Sequence, residues 1–135
     1  MITVEELSGI GEGRLPGLLG VQIIDVAAGR ISGRLEVQPH HLAPNGYLHA
    51  ATVIALADTL CGYGCVASLP DGGTGFTTIE LKSNFVGTKL DGVINGVATL
   101  THGGRTTQVW DAIVTDEAAG RQLALFRCTQ LILRG

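Results

Sequence analysis

One carboxylate, Asp58, stands inside a long apolar stretch of the sequence and is well suited to do chemistry. If that stretch is a helix, the neighbours of Asp58 on the same face are the uncharged residues Ile54, Ala55, Cys61 and Gly62. An ionised carboxylate without partners is costly in an apolar interior, so it must reach solvent, a donor or a subunit interface, or take up a proton. A structural Asp bonded to nearby backbone is the competing interpretation. The pattern favours a catalytic carboxylate, with Gly62 leaving space beside it for a substrate.

The start of the same stretch is a second place where chemistry is possible. Gly46 lies in a turn that runs into the helix, whose first residues are Ala50 and Ala51. The first amides of a helix have no partner inside the helix, and the helix dipole helps them stabilise negative charge on a carbonyl oxygen. The small side chains of Ala50 and Ala51 let a substrate approach closely. The sequence therefore predicts an oxyanion site here, against the alternative of an ordinary turn in which Gly46 has a positive φ.

The elements that position these residues follow the order β-β-α-β-β-β-β. Thr3 and Glu6 form a capping-box pattern, which predicts a short helix near residues 4–9 before a Gly-rich connection through Gly20. The long helix is predicted over residues 50–66, because this segment is rich in Ala and Leu and lacks a polar stripe. Strands rich in β-branched residues are predicted over 21–26, 30–37, 75–85, 93–102, 106–116 and 122–133. The prediction is an α+β fold, with one curved antiparallel sheet wrapped around the whole circumference of a buried helix.

Length and composition restrict the class of protein. The chain has 135 residues, which predicts a single domain spanning 1–135. It has 9 Lys and Arg against 12 Asp and Glu, a net charge of −3, so no basic excess points to nucleic acid as a partner. Charged residues are only 16% of the chain, against about 25% in an average domain. Such sparse charge covers the surface of a monomer poorly and predicts an oligomer.

Cysteine usage and the N-terminal segment point to a compartment. Cys61, Cys65 and Cys128 are odd in number and lack the spacing of a zinc knuckle, so they are predicted to be reduced core thiols, with no metal site. The N-terminal segment has acidic residues where a signal peptide has a basic flank and an apolar run. Asp58 near the middle of the long apolar segment argues against a membrane span. The expected location is the cytoplasm, with no membrane partner.

Residues 45–64, NGYLHAATVIALADTLCGYG, resemble a known motif. They are similar to the Gly-x-x-His-Gly-Gly…Leu-Ala-(Asp/Glu) motif of hotdog-fold acyl-CoA thioesterases, in the branch of the phenylacetate-degradation and 4-hydroxybenzoyl-CoA thioesterases. The spacing of nine residues from His49 to Asp58 matches that motif, and the resemblance spans residues 21–133. It implies the hotdog fold, a homodimer with a continuous sheet and active sites at the dimer interface, and a tetramer formed from two such dimers.

The resemblance also implies roles for individual residues. Asp58 corresponds to the catalytic carboxylate, and the backbone amide of Ala50 to the donor that polarises the thioester carbonyl. His49 corresponds to a residue that shapes the helix start, although a substrate contact or a general base are also open for it. Thr78 aligns with a Ser or Thr that approaches the carboxylate from the neighbouring subunit, while an exposed Thr on a strand is the alternative.

Substrate contacts are less sharply indicated. Ala43 stands where the family often has a Gln or Asn that faces the attacking water, so Asn45 or a residue of the partner subunit is the candidate for that role. The candidates for contacts with the substrate and with the phosphates of CoA lie near the helix start, one turn after Asp58, on the third strand and in the hairpin at 102–107: Asn45, Gly46, Gly62, Lys82, Arg105 and Thr106.

The function implied by the resemblance is hydrolysis of an acyl-CoA to a free carboxylic acid and CoA. Asp58 acts either as a general base on water or as a nucleophile that forms a mixed anhydride. No metal or redox cofactor is called for, because CoA arrives as part of the substrate. Two other functions stay open: a hotdog hydratase or dehydratase acting on an acyl thioester, and a non-catalytic module that binds acyl-CoA. The acyl preference, aryl or aliphatic, is also open.

Overall fold

A computed structural model describes residues 1–135 as one sheet and three α-helices. Two short helices, α1 (Val4–Ile10) and α2 (Leu15–Leu19), precede the sheet, and the long helix α3 (Ala50–Ala67) lies between its second and third strands. A single turn of 3-10 helix, Pro39–His41, begins the connection to α3. The strands are β1 (Gln22–Ala27), β2 (Arg30–Glu36), β3 (Gly75–Phe85), β4 (Val93–Gly103), β5 (Thr107–Asp116) and β6 (Gln122–Leu133).

All neighbouring strands are antiparallel, in the order β1-β2-β4-β5-β6-β3. The third strand therefore crosses to the far edge of the sheet, and α3 makes that crossing while lying on the concave face. The predicted α+β architecture is confirmed, and β3 and β6 have the predicted bounds. The edges of the sheet are β1 and β3, so β3 carries unpaired backbone groups along one side.

Helix α2 falls in a segment that the sequence predicted to be a Gly-rich connection. It has five residues, Arg14 provides no side-chain cap, and Gly20 ends it with a φ of +85°. Pro16 sits in its first turn, where a missing N–H and a fixed φ are tolerated. Five residues are too few to show a 3.6-residue period, which is why the pattern did not reveal this helix.

The second half of α3 is enclosed by the sheet. Gly62 and Gly64 let the helix lie directly against aromatic rings, because a Cβ at Gly62 would meet the Phe76 ring at 2.5 Å and one at Gly64 would meet the Trp110 ring at 2.6 Å. The sequence predicted that Gly62 leaves space for a substrate, and this prediction is wrong within the chain, since the Phe76 ring fills that space. Gly62 is a packing position.

The first half of α3 is covered on one side only. Ala51, Ala55, Asp58 and Thr59 follow one another at helical spacing, and none of them is buried. We call these four residues the open stripe. The predicted enclosure of the whole circumference is therefore wrong for this half of the helix. The length and hydropathy of α3 alone would suit a membrane span, but 56% of it is buried in the protein, as is usual for a core helix.

Candidate active site

Asp58 is held by a polar cluster between α3 and the far edge of the sheet. Its Oδ1 accepts a hydrogen bond from Thr78 Oγ1 at 3.0 Å, and the amide of Gln130 lies on the other side of that hydroxyl, with Oε1 at 2.9 Å from Thr78 Oγ1. Burial raises the pKa of the Asp58 carboxyl above its usual value, while the neighbouring polar side chains of Thr78 and Gln130 act in the opposite direction. The other oxygen, Oδ2, has no hydrogen-bond partner within the chain. A half-buried carboxylate with one free oxygen suits a base or a nucleophile.

Thr78 reaches Asp58 because of the register between β3 and β6. Thr78 pairs with Gln130 on the face that α3 covers, and the register shifts immediately afterwards, between Thr78 and Glu80. The resemblance implied that this hydroxyl approaches a carboxylate of the neighbouring subunit. Here the contact lies within one chain, because the edge strand β3 runs past the middle of α3.

Gln130 is part of the site and was missed from the sequence. It is fully buried, at 0% exposure, in the midst of the apolar strand β6. The sequence pattern that could have revealed it is the two-residue alternation of that strand, in which the inward positions are Phe126, Cys128, Gln130 and Ile132. A polar residue at an inward position must find partners, which is the reason to suspect a functional contact.

The start of α3 presents one free amide. His49 is the N-cap residue: its Nδ1 accepts a hydrogen bond from the Ala51 amide at 2.8 Å, and its carbonyl accepts one from the Thr52 amide at 3.0 Å. The amide of Ala50 has no acceptor in the chain. His49 Nδ1 thus acts as an acceptor, as the predicted positional role requires. The predicted oxyanion donor, Ala50 N–H, is left available at an exposed position.

A buried histidine fixes the backbone that leads into α3. The carbonyl of His41 accepts hydrogen bonds from the His49 amide at 3.0 Å and from Thr52 Oγ1 at 2.9 Å. Its ring is bonded on both sides, since Nδ1 accepts from the Gln38 amide and Nε2 lies 2.8 Å from the Leu19 carbonyl. Nε2 must therefore carry the proton, and burial lowers the pKa of this imidazole. His41 anchors the helix start to α2, a role that the sequence did not reveal.

Asn45, which is exposed, and Gly46, which is partly buried, form the tip of the turn before α3. Asn45 Oδ1 accepts a hydrogen bond from the Tyr47 amide at 3.2 Å, and Gly46 has a φ of +90° that favours glycine. Neither residue hydrogen-bonds to Asp58 of the same chain. The side-chain nitrogen of Asn45 has no partner in the chain.

The candidate CoA contacts lie apart from Asp58. Lys82 pairs with the exposed Arg127 on the convex face of the sheet, whereas Thr78 faces α3. Arg105 and Thr106 are exposed in the hairpin between β4 and β5. That hairpin leads into Gln108, whose side-chain amide donates to the Ser68 carbonyl at the end of α3.

The fold and these contacts define a class of protein. A long helix on the concave face of a curved antiparallel sheet is the hotdog fold, and the free Ala50 amide with the Asp58 carboxylate suits hydrolysis of a thioester. The family model of the thioesterase superfamily matches residues 45–122, which include the turn, α3, β3, β4 and β5.

Known proteins agree with this assignment. The chain is 32% identical over 111 residues to the 1,4-dihydroxy-2-naphthoyl-CoA hydrolase of Listeria monocytogenes, covering 82% of this chain and 89% of that protein. A thioesterase from Pseudomonas aeruginosa has the same fold, with a TM-score of 0.93 at 22% identity over 100% of this chain and 96% of that one. The PaaI protein from the phenylacetic acid degradation operon of Escherichia coli has a TM-score of 0.84 at 21% identity, covering 98% of each chain. This chain belongs to the thioesterase superfamily, and the predicted family, hotdog fold and reaction class of acyl-CoA thioesterase are confirmed.

Proposed function

We propose that this chain hydrolyses acyl-CoA at sites shared between two copies, each site combining the Ala50 amide of one copy with the Asp58 carboxylate of the other. The observation that carries the proposal is the position of both groups on one helix. They are eight positions apart in the sequence, which is about 12 Å along the axis at roughly 1.5 Å per residue. The carbonyl oxygen must lie about 3 Å from its donor, and the carbonyl carbon about 3 Å from the attacking atom. A second α3 running antiparallel would bring the Ala50 amide of one copy closer to the Asp58 of the other than the two groups lie on one helix.

Two surfaces of the chain support a twofold dimer. The open stripe of α3 contains Asp58 together with the small residues Ala51 and Ala55, so a second α3 running antiparallel can approach closely. The edge strand β3 lies beside it and exposes apolar side chains that are 55%, 40% and 45% accessible, respectively: Ile79, Leu81 and Phe85. Pairing of two β3 edges would cover these side chains and bring each Ala50 towards the Asp58 of the other copy.

The chemistry follows from the two groups. The thioester carbonyl oxygen accepts a hydrogen bond from Ala50 N–H, and Asp58 Oδ2 removes a proton from a water molecule that attacks the carbonyl carbon. The C–S bond then breaks, the acid is released, and the CoA thiolate takes the proton back from Asp58. We favour the general-base route because a raised pKa makes a carboxylate a stronger base. Incorporation of 18O from solvent into Asp58 in a single turnover would instead reveal the mixed anhydride.

The remaining contacts belong to the same proposal. Arg105 and Thr106 on the hairpin, with Lys82 near the β3 edge, bind the phosphates of CoA. Asn45 and Gly46, from the turn that precedes the Ala50 amide, line the thioester site, and the free nitrogen of Asn45 orients the water.

We further propose a location and an assembly. The enzyme acts in the cytoplasm, where its three free, buried cysteines stay reduced. Its dimers pair into a tetramer through the convex face of the sheet, where the apolar side chains of Ile113 and Leu125 are 41% and 40% exposed.

Thiol release from a panel of acyl-CoAs tests the function. The panel contains aliphatic and aryl thioesters, including 1,4-dihydroxy-2-naphthoyl-CoA, the substrate in the name of the Listeria relative. We expect wild type to release CoA from at least one of them, and Asp58→Asn to lose at least about 100-fold in kcat, within the range of a catalytic base. The matched control Asp25→Asn changes an exposed carboxylate on β1 and should leave kcat unchanged. No CoA release from any thioester, or a loss below about tenfold in Asp58→Asn, would contradict the proposal.

A further inference from the structure

Gln130 is a fully buried polar side chain that reaches the Asp58 cluster, and the proposed chemistry gives it no task. Its side-chain oxygen lies 2.9 Å from Thr78 Oγ1, and its nitrogen donates to Cys128 Sγ at 3.3 Å. Thr78 Oγ1 in turn lies 3.0 Å from Asp58 Oδ1. These contacts form a continuous chain from Asp58 through Thr78 and Gln130 to Cys128.

The number of protons available to this series of hydrogen bonds restricts which atoms donate and which accept. A hydroxyl has one hydrogen, so Thr78 can donate to Asp58 or to Gln130 Oε1 but not to both. When Asp58 is protonated, its O–H donates to Thr78 Oγ1, the Thr78 proton points to Gln130 Oε1, and Gln130 Nε2 faces Cys128. When Asp58 is ionised, Thr78 must donate to the carboxylate, so the Gln130 amide must turn by half a revolution and donate its N–H to Thr78 Oγ1. The two charge states of Asp58 thus require opposite orientations of one buried amide.

We propose that Gln130 is a positioning residue for Asp58, whose side-chain amide turns with the protonation state of the carboxyl and donates through Thr78 to the carboxylate. This inference rests on the proposed role of Asp58 in acyl-CoA hydrolysis. The amide can serve both states because it has a donor and an acceptor at the same end, which neither an apolar side chain nor an ionised carboxylate offers. The thiol of Cys128 is suited to the far end, since sulfur accepts weakly and S–H donates weakly.

Within the protein, these hydrogen bonds are what stabilises a negative charge on Asp58. No Lys, Arg or His of the chain hydrogen-bonds to Asp58. The nearby titratable groups are the buried thiols of Cys61 on α3 and Cys128 on β6, while Asp111 on β5 is paired with Arg127. A hydrogen bond with Cys128, together with burial, raises the pKa of the Cys61 thiol, so it stays neutral. A negative charge on Asp58 is therefore stabilised by two neutral groups of the protein, the Thr78 hydroxyl and the fully buried amide of Gln130.

The fold supplies a matched control for Gln130. Gln108 on β5 pairs directly with Gln130 on β6 and is equally buried, at 2% against 0% exposure. Its amide is engaged elsewhere, because Nε2 donates to the Ser68 carbonyl and Oε1 accepts from Trp110 Nε1. Gln130→Met and Gln108→Met each remove one buried amide from neighbouring positions, but only Gln130→Met removes a hydrogen-bond partner of Thr78.

Titration of the Asp58 carboxyl tests the inference without requiring turnover. The side-chain carboxyl carbons of 13C-labelled protein are followed by NMR against pH, and the Asp58 signal is assigned by its loss in Asp58→Asn. We expect Gln130→Met to raise the pKa of Asp58 and Gln108→Met to leave it unchanged. If Gln130→Met does not fold, Gln130→Asn, in which the amide is too short to reach Thr78, should show the same direction. An unchanged Asp58 titration, or an equal shift in both Met variants, would overturn the inference.

The pH dependence of turnover gives the second measurement. In Gln130→Met the acidic limb of kcat should move to higher pH, with kcat lower by about three- to tenfold at pH values on that limb. In a Thr78→Val background, Gln130→Met should have no further effect, because the proposed connection runs through the hydroxyl. Additive effects of the two substitutions would contradict that connection. If wild type releases no CoA at all, the proposed function fails while the NMR titration still decides the role of Gln130.

Discussion

At the scale of the residue, Asp58 combines two demands that oppose each other. The base must be ionised to act, yet burial raises the pKa of its carboxyl and favours the protonated form. For an acid whose pKa is higher in the folded state than in the unfolded state, the stabilising contribution is present below the unfolded pKa and is lost as pH rises through the folded pKa. At neutral pH the ionised Asp58 therefore destabilises the fold. Asp58→Asn should consequently keep or raise the thermal midpoint while it lowers kcat by at least about 100-fold.

The Thr78 hydroxyl offers a direct test of what keeps Asp58 ionised. Thr78→Val keeps the shape of the side chain and removes the hydrogen bond to Asp58 Oδ1, so the acidic limb of the kcat profile should move to higher pH. Thr77→Val is the control, because Thr77 is exposed on the opposite face of β3. Profiles of kcat against pH for the three proteins check this prediction. An unshifted acidic limb in Thr78→Val would mean that the hydroxyl does not stabilise the carboxylate.

At the scale of the element, α3 carries both reactive groups and owes its position to two glycines. The Trp110 ring lies where a side chain at Gly64 would be, and the ring is fixed by the hydrogen bond from Nε1 to Gln108. Gly64→Ala should therefore destabilise the protein by about 1–3 kcal/mol through overpacking, although Ala is the better helix former. Gly9→Ala in α1 is the control, because no atom lies within 4 Å of the added Cβ, and it should be neutral or slightly stabilising. Denaturant unfolding compares the two, and equal stability of both variants would show that the contact with Trp110 tolerates a methyl group.

The same element shows how far the sequence alone could lead. The apolar run and the carboxylate within it predicted α3 and Asp58, because helical length and an isolated charge are local signals. The amide of Ala50 was also predictable, since every helix leaves its first amides free. The contacts of Gln130 and His41 were not, because they depend on the pairing of strands and loops distant in the chain. The ring that fills the space beside Gly62 comes from β3, and its packing on α3 is likewise a tertiary contact.

At the scale of the whole molecule, the composition has a structural cause. The apolar residues that the sheet leaves exposed are concentrated on β3 and on the convex face, where the proposed interfaces lie, while half of α3 stays open. The sparse charge of the chain is thus explained by surface that another copy would cover. One side of α3 faces the sheet, and the other side contributes to the site that we propose between two copies.

A charge on the β3 edge should therefore remove the dimer and the activity together. Ile79→Asp introduces a carboxylate at an exposed apolar position of that edge, whereas Ile24→Asp does the same on β1 at the other edge of the sheet, with 55% and 54% exposure. Light scattering after size exclusion should show mass falling towards the 14.0 kDa of one chain only for Ile79→Asp, with a parallel loss of thiol release. An active monomer would be incompatible with shared sites.

Complementation between two inactive variants tests the shared site most directly. Ala50→Pro removes the proposed donor at a position where Pro is well tolerated, the first residue of a helix, and should lower kcat by about 100- to 1000-fold, while Ala50→Gly keeps the N–H and serves as the control. Ala50→Pro and Asp58→Asn are each assayed alone and then together, after denaturation and joint refolding to exchange subunits. Half of the resulting dimers contain one of each chain and one intact site, so the mixture should recover about a quarter of wild-type activity. A mixture as inactive as its two components would show that Ala50 and Asp58 act within the same chain.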